Sequence, residues 1–422
     1  MSFALVDGNN FYVSCERVFN PRLDGRPVVV LSNNDGCVVA RSAEVRALGV
    51  KMADPWFKLK DLARKHGILA LSSNYTLYAD MSNRMMRVLS TYSPEQEVYS
   101  IDECFLGFDG FPAAALPVIG ERIRQQVRRW VGIPVCVGIG ATKTLAKLAN
   151  HCAKKDLAGS DGVCDFGQLS ESELDALFGR IEVGEVWGVG RRLSERLASL
   201  GIITVRDLRN ADASMIRDAF SVVLERTVME LRGVSCLALE EVAPAKKQIM
   251  SSRTFGAYVH SLPELEEAVS TYLARAAEKL RRQRSVAGAV QVYIRTNPFN
   301  ETHPQYQQGL TVPLTQVTSD TVRLTRAALW GLKRIYRPGY AYQKAGVMLM
   351  DLYPAGQTQG VLFPTASPGR PALMEVIDRA NARWGRGTLK LAAEGVIKPW
   401  QMKRERVSPA YTTRWDDLPR VS

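Results

Sequence analysis

Apolar residues along this chain gather in short runs separated by turn-forming clusters. Phe3 to Val6 is one such run, closed by Asp7, and reads as a strand. The mixed apolar and polar spacing of Phe11 to Phe19 predicts a helix that stops near Asn20-Pro21. Pro27 to Ser32 and Cys37 to Arg41 predict two strands joined around Asn33-Asn34-Asp35-Gly36, a turn-rich cluster. Further on, Glu97 to Ile101 and Phe105 to Phe108 predict a hairpin with Asp102-Glu103 at its tip. Pro134 to Gly140 predicts another strand, followed by a helix over Thr142 to Lys154. Strands and helices thus alternate through the first 165 residues.

The pattern changes near Asp165. Ser170-Glu171-Ser172-Glu173 has the form of a helix start, and the Gly-rich Val186 to Gly190 follows, so 166–240 is expected to be mainly helical. Glu240 to Lys247 lacks periodicity and reads as a linker. Beyond it come a strand Ile249 to Phe255, a helix Pro263 to Arg284, a strand Ala289 to Thr296, a helix Asp320 to Ile335 and a strand Lys344 to Leu352. That order predicts a second α+β domain over 241–352. From Tyr353 the chain reads as an irregular tail, 353–422, carrying one helix at Ala372 to Arg383. No repeat of 20 to 50 residues recurs, which excludes a solenoid.

Length and composition narrow the function classes. At 422 residues and about 150 residues per domain, several compact units are expected. A hydrophobic fraction of 46% and a charged fraction of 23% belong to folded chains. No apolar stretch approaches the ~20 residues of a membrane helix, and the start has no signal-peptide layout, so the expectation is a cytosolic protein without a membrane partner. Cys15, Cys37, Cys104, Cys136, Cys152, Cys164 and Cys236 form no C-x-x-C pair, and the four histidines are dispersed. Ligand spacing therefore proposes no zinc site, and any metal is expected to be held by oxygen. The net charge of +12 and pI near 9.4 favour an acidic polymer as partner. Ribosome-associated, membrane-surface and nucleic-acid enzymes share that property.

The candidate chemistry is carboxylate chemistry. Asp7 closes the first strand, and Asp102 and Glu103 sit at a hairpin tip. Taken singly, such residues are more often solvated loop carboxylates. Phosphoryl transfer, however, uses two hard cations about 3.5–4 Å apart, bridged by carboxylates, and two strand ends side by side would supply them.

At this point the sequence resembles a known family. Asp7-Gly8-Asn9-Asn10-Phe11-Tyr12-Val13-Ser14-Cys15-Glu16 and Ser100-Ile101-Asp102-Glu103 are similar to the two catalytic motifs of Y-family, translesion DNA polymerases. Val137 to Ala149 resembles that family's palm segment, and Trp187-Gly188-Val189-Gly190 its thumb. Ser32 to Cys37, Ser73-Asn74-Tyr75, Tyr78 to Ser82 and Trp400 to Arg404 place the resemblance in the branch that works with a processed UmuD dimer and RecA. The resemblance spans essentially the whole chain, and its motifs are specific in combination rather than singly.

The resemblance implies an α+β right hand. A ferredoxin-like palm with small fingers would occupy 1–165, a helical thumb with a helix-hairpin-helix 166–240, an α+β little finger 241–352, and a partner-binding tail 353–422. It implies that Asp7, Asp102, Glu103 and the Gly8 carbonyl hold two magnesium ions, and that the chain joins deoxynucleotides to primer-template DNA in the SOS response to DNA damage. Tyr12, beside Phe11, would be the sugar gate, with a pair of core aromatics as the plain alternative. Arg46 and Lys154 would grip the triphosphate. Many members carry tyrosine three residues before that arginine, and Ala43 stands there instead, so one triphosphate contact is expected to be missing.

Gly188-Val189-Gly190 would offer backbone N–H groups to DNA phosphate. Arg253, with Arg275, Lys279, Arg281, Arg282 and Arg284, would form a DNA-gripping face; a solvated helix face is the alternative reading. Gln359-Gly360-Val361-Leu362-Phe363 resembles the pentapeptide by which bacterial polymerases bind the sliding clamp, with Gly360 where leucine is usual. Engaged on DNA, the protein would be associated with the nucleoid. Two other function classes stay open: a stand-alone polymerase needing no accessory dimer, and an inert DNA-binding scaffold, which the presence of all three carboxylates disfavours. A nucleotidyl cyclase could share the palm but would not need the basic downstream domains.

Overall fold

The computed structural model describes residues 2–240, 244–356 and 370–418. They form two compact units: one holds 2–32, 36–240 and 406–418, the other 33–35, 244–356 and 370–405.

The first unit opens with β1 (Phe3–Gly8) and α1 (Phe11–Phe19), followed by β2 (Val28–Leu31), β3 (Val38–Arg41), α2 (Ala43–Ala47), α3 (Trp56–His66) and β4 (Leu69–Ser72). Next come α4 (Tyr75–Leu89), β5 (Gln96–Val98), β6 (Glu103–Gly107), α5 (Leu116–Val131), β7 (Val135–Gly140), α6 (Lys143–Lys155) and β8 (Val163–Asp165). Five strands make one sheet in the order β5-β6-β1-β7-β8, in which β1 is central and antiparallel to both neighbours. All six residues of β1 are buried, because the sheet is covered on both faces. Ala4 and Val6 join a core with residues of α1, α4 and α5, while Phe3 and Leu5 meet Phe105 and Ala146 of α6. A strand covered on both sides reads as a continuous apolar run rather than an alternation. Helix α6 lies close on β7: a Cβ on Gly138 would come within 2.0 Å of the Asn150 amide nitrogen, so only glycine fits. A smaller sheet, β3-β2-β4, pairs β2 antiparallel with β3 and parallel with β4.

The remaining helices of this unit are α7 (Glu171–Phe178), α8 (Arg191–Ala198), α9 (Val205–Asn210), α10 (Ala213–Ala219) and α11 (Val222–Leu231). Each except α8 starts on a Ser, Thr or Asp whose side chain accepts a backbone N–H. Helix α8 starts on Gly190, which supplies no such acceptor.

The second unit contains β9 (Ile249–Val259), α12 (Leu262–Arg282), β10 (Ser285–Thr296), β11 (Gln307–Thr318), α13 (Thr321–Ile335), β12 (Tyr342–Pro354) and α14 (Pro371–Trp384). Its sheet, β11-β10-β12-β9, is antiparallel throughout, and apolar residues of α12 and α13 share one core with those of the strands. Strand β11 is absent from the sequence reading. It is an edge strand with only Val312 and Thr318 buried; Leu310, Val312 and Leu314 alternate at the strand period, but Pro313 interrupts the run and marks it as an edge.

Candidate active site

The strand register assembles the carboxylates. In the β1/β6 pair Asp7 lies opposite Glu103, and directly opposed residues point to the same face. Asp102 precedes β6, where its carbonyl accepts the Gly8 N–H at 2.9 Å. The Ser100 hydroxyl donates to Asp102 Oδ1 at 2.7 Å and accepts the N–H groups of Asp102 and Glu103, which holds the turn. Gly8 leaves room for its neighbours: a Cβ there would come within 2.9 Å of the Phe11 ring, which would have to shift.

Helix α6 faces these carboxylates with a stripe of cations. Lys143, Lys147 and Lys154 share one helix face, and they meet Glu97, Glu103 and Asp7 in turn. Lys154 Nζ is 2.5 Å from Asp7 Oδ2. Lys143 and Glu97 form a pair in which both side chains are nearly fully buried. Asn150, on the same stripe, donates to the Leu5 and Cys136 carbonyls and ties the helix to the sheet.

A cleft of about 490 Å³ opens over the carboxylates, lined by Asp7, Gly8, Phe11, Tyr12, Arg46, Asp102, Glu103 and Lys154 among others. Six of the expected catalytic, metal and triphosphate residues therefore converge on one place. Arg46 is an exposed residue on the short helix α2, whose start is capped by the Ser42 hydroxyl. The two aromatic neighbours differ. Phe11 is 3% exposed and belongs to the core, whereas Tyr12 is half-buried, with its ring stacked on Tyr78 at 4.4 Å and 14°.

Burial pushes the Asp7 carboxyl up to about 6; Lys154 opposes the rise, and Glu103 and Asp102 add to it. A negative charge is thus unwelcome there until a cation stronger than one lysine neutralises the cluster. Between its ordinary value of 3.8 and about 6, the folded protein keeps a proton that the unfolded chain has released. Stability on this account is full below about pH 4 and falls as pH rises through about 6, by about 3 kcal/mol. In chelator-treated protein, chemical denaturation at pH 4 and pH 7 should show wild type losing stability relative to Asp7→Asn by that order. An unchanged difference between the two proteins would refute the assignment.

The donor set fits hard divalent cations: three carboxylates and a backbone carbonyl, all oxygen. Among the described residues no three metal-ligating side chains are already gathered as a closed site, consistent with Lys147 and Lys154 holding two of the carboxylates. Lys147, which the sequence reading left without a role, is found only through its pairing with Glu103.

Gly188, with φ 88°, and Val189 lead to Gly190 at the start of α8. Arg253 lies opposite Ala345, a core residue against the helices, and its guanidinium is 3.6 Å from Met402 Sδ. The open sheet face instead carries Gln291, Tyr293 and Arg295, which alternate with the buried Val290, Val292 and Ile294. Arg281 is withdrawn from any gripping face by a two-pronged pair with Asp378, at 2.6 and 2.7 Å, and Arg282 pairs with Glu278. Gln359, Leu362 and Phe363 lie outside the described residues.

Residues 6–151 match the impB/mucB/samB family and 246–362 that family's C-terminal domain, while 371–421 match a domain of unknown function. The chain is 49% identical to Protein UmuC of Salmonella typhimurium, across 99% of this chain and all of that protein. It belongs to the UmuC branch of the Y-family translesion DNA polymerases. This Y-family chain is also 45% identical to Protein MucB of Escherichia coli, over 99% of each. It is 28% identical to DNA polymerase IV of Desulfatibacillum aliphaticivorans, over 92% of this chain and 95% of that one. Its fold is similar to that of a Y-family DNA polymerase chimera, with TM-score 0.66 and 21% identity over 83% of this chain and 99% of that one. An insertion ternary complex of Dbh DNA polymerase gives 0.53 and 20%, over 83% and 98%. The α+β polymerase fold expected from the sequence is therefore present, and Y-family membership carries dependence on divalent metal. No helix among the described residues is long and apolar enough to cross a membrane.

Proposed function

We propose that this chain is the catalytic subunit of an error-prone, magnesium-dependent polymerase that extends primers past damaged template bases. The observation that carries this reading is the register that sets Asp7 beside Glu103, with Asp102 on the adjoining turn, in a cleft edged by Arg46 and Lys154. Asp7, Asp102, Glu103 and the Gly8 carbonyl would hold two magnesium ions. When bound, magnesium makes the primer 3′-hydroxyl more acidic and offsets charge on the departing pyrophosphate. Lys154 and Arg46 bind phosphate oxygens, and Lys154 leaves Asp7 for the triphosphate as it does so. Tyr12 offers its ring to the sugar and excludes a 2′-hydroxyl.

On this reading 1–165 act as palm and fingers, 166–240 as thumb, 241–352 as little finger and 353–422 as a partner-binding tail. Template DNA, a processed UmuD dimer and RecA are the partners, in the cytoplasm and on the nucleoid. The turn Gly188-Val189-Gly190 is the proposed DNA contact; Arg253, expected beside it, faces the helices opposite Ala345 and is not retained. Primer extension on a template with an abasic site, with and without accessory proteins, tests the function. Extension past the site that needs magnesium is expected. Its absence under every accessory condition, with binding intact, would sink the reading.

Gln359, Leu362 and Phe363 are proposed to dock on the sliding clamp, one polar and two apolar anchors in a groove. Leu362→Ala with Phe363→Ala should weaken clamp affinity by a few kcal/mol and leave clamp-free synthesis unchanged. An unaltered clamp titration would remove the assignment.

A further inference from the structure

Residues 406–418 return to the catalytic unit, although they fall within the match to a domain of unknown function. Val407 bridges Ser72 in parallel at the end of β4. The Ser72 N–H donates to the Arg406 carbonyl and the Arg406 N–H to the Ser72 hydroxyl, both at 3.0 Å. Next to this bridge the Asn74 amide, at the start of α4, donates to the Ser408 hydroxyl at 3.0 Å and to the Ser408 and Pro409 carbonyls at 3.3 Å. Tyr411 stacks on Phe19 at 4.9 Å and 7°, and the Ala410 N–H donates to Asp417 Oδ2, closing the segment on itself.

This strap ends on a buried carboxyl group. The Ser408 hydroxyl donates to Glu16 Oε1 at 3.0 Å, and the Tyr78 hydroxyl donates to the same oxygen at 2.7 Å. Glu16 is 1% exposed and Tyr78 fully buried, and the Tyr78 ring is the one on which Tyr12 stacks. Tyr12, Glu16 and Phe19 occupy positions i, i+4 and i+7 of α1, so the strap, the carboxylate and the gate lie along one helix face. A buried carboxylate that loses one of two hydroxyl donors turns toward a replacement, and whatever shares its oxygen moves with it.

We infer that residues 406–418 are a clasp that sets the position of the Tyr12 ring through Ser408, Glu16 and Tyr78, so that the end of the chain takes part in choosing the nucleotide sugar. The inference rests on Tyr12 being the sugar gate. Ser408 and Tyr78 are positioning residues, since neither is among the residues lining the cleft.

The test is single-nucleotide incorporation by the full-length protein, with matched ribo- and deoxynucleotides. Four proteins are compared: wild type, Tyr12→Ala, the double variant Ser408→Ala with Tyr411→Ala, and the conservative double Ser408→Thr with Tyr411→Phe. The alanine double should lower the deoxy-to-ribo ratio of kcat/KM by about fivefold, the loss of roughly one hydrogen bond. Its deoxynucleotide rate should stay near wild type, and the Thr and Phe double should restore the ratio. A wild-type ratio in the alanine double, alongside a relaxed Tyr12→Ala, overturns the clasp and leaves the gate standing. A wild-type ratio in Tyr12→Ala removes the gate and the clasp together. Should the alanine double fail to fold, Tyr78→Phe breaks the same link without touching the strap. A lowered ratio there supports the clasp, and an unchanged one overturns it.

Discussion

Asp102→Asn is expected to abolish nucleotide incorporation, by at least on the order of 10³-fold or about 4 kcal/mol of transition-state stabilisation, while primer-template binding stays within a few-fold. The turn tolerates the change, because an asparagine oxygen can still accept from the Ser100 hydroxyl and the backbone bond to Gly8 is untouched. What disappears is one negative charge from a set of three in a cleft of about 490 Å³. Amide oxygen is a weak ligand for a hard dication where carboxylate is strong. DNA affinity depends on basic residues elsewhere and on the salt concentration. Rapid-quench incorporation beside a fluorescence binding titration measures both quantities on one preparation. Substantial magnesium-dependent synthesis by the variant would show that Asp102 is a hairpin carboxylate and no more.

Tyr12→Ala should let ribonucleotides in. An extra oxygen forced into a packed site costs about 1–3 kcal/mol, a roughly five- to 160-fold preference for deoxynucleotides, and removing the ring should erase a preference of that order. Phe11→Ala is the informative partner. Phe11 lies in the core at 3% exposure, so its truncation should destabilise the protein by about 3–5 kcal/mol with no selective gain for ribonucleotides. If Tyr12→Ala keeps the wild-type sugar preference, Tyr12 is one more core aromatic resting on Tyr78.

The legible parts of this protein were those whose signals are local. The run ending at Asp7, the helix over Phe11 to Phe19 and the turn before Glu103 each announce themselves within about ten residues, and each is present close to the expected bounds. Helix α5 carried a usable signal too: Leu116, Gly120, Ile123, Val127 and Val131 are buried at helical spacing, although the sequence reading assigned nothing there. Strand β11 carried an interrupted one: Leu310, Val312 and Leu314 alternate, but Pro313 breaks the run, as is common at a sheet edge. The cationic cluster near Arg281 looked alike from end to end in sequence. Asp378, nearly a hundred residues away, neutralises one member and leaves its neighbours.

By itself, then, the sequence determined the order of elements through the palm and the carboxylates that would matter, because hydrophobic period and strand-end placement are written in adjacent residues. Only the tertiary structure decided which charges meet. It set Lys147 against Glu103 and Lys154 against Asp7, and it brought Ser408 to Glu16 across 392 positions. Such pairings depend on strand register and on chain segments returning over the surface. No local propensity encodes them, because the free energy that selects them comes from burying one whole face against another.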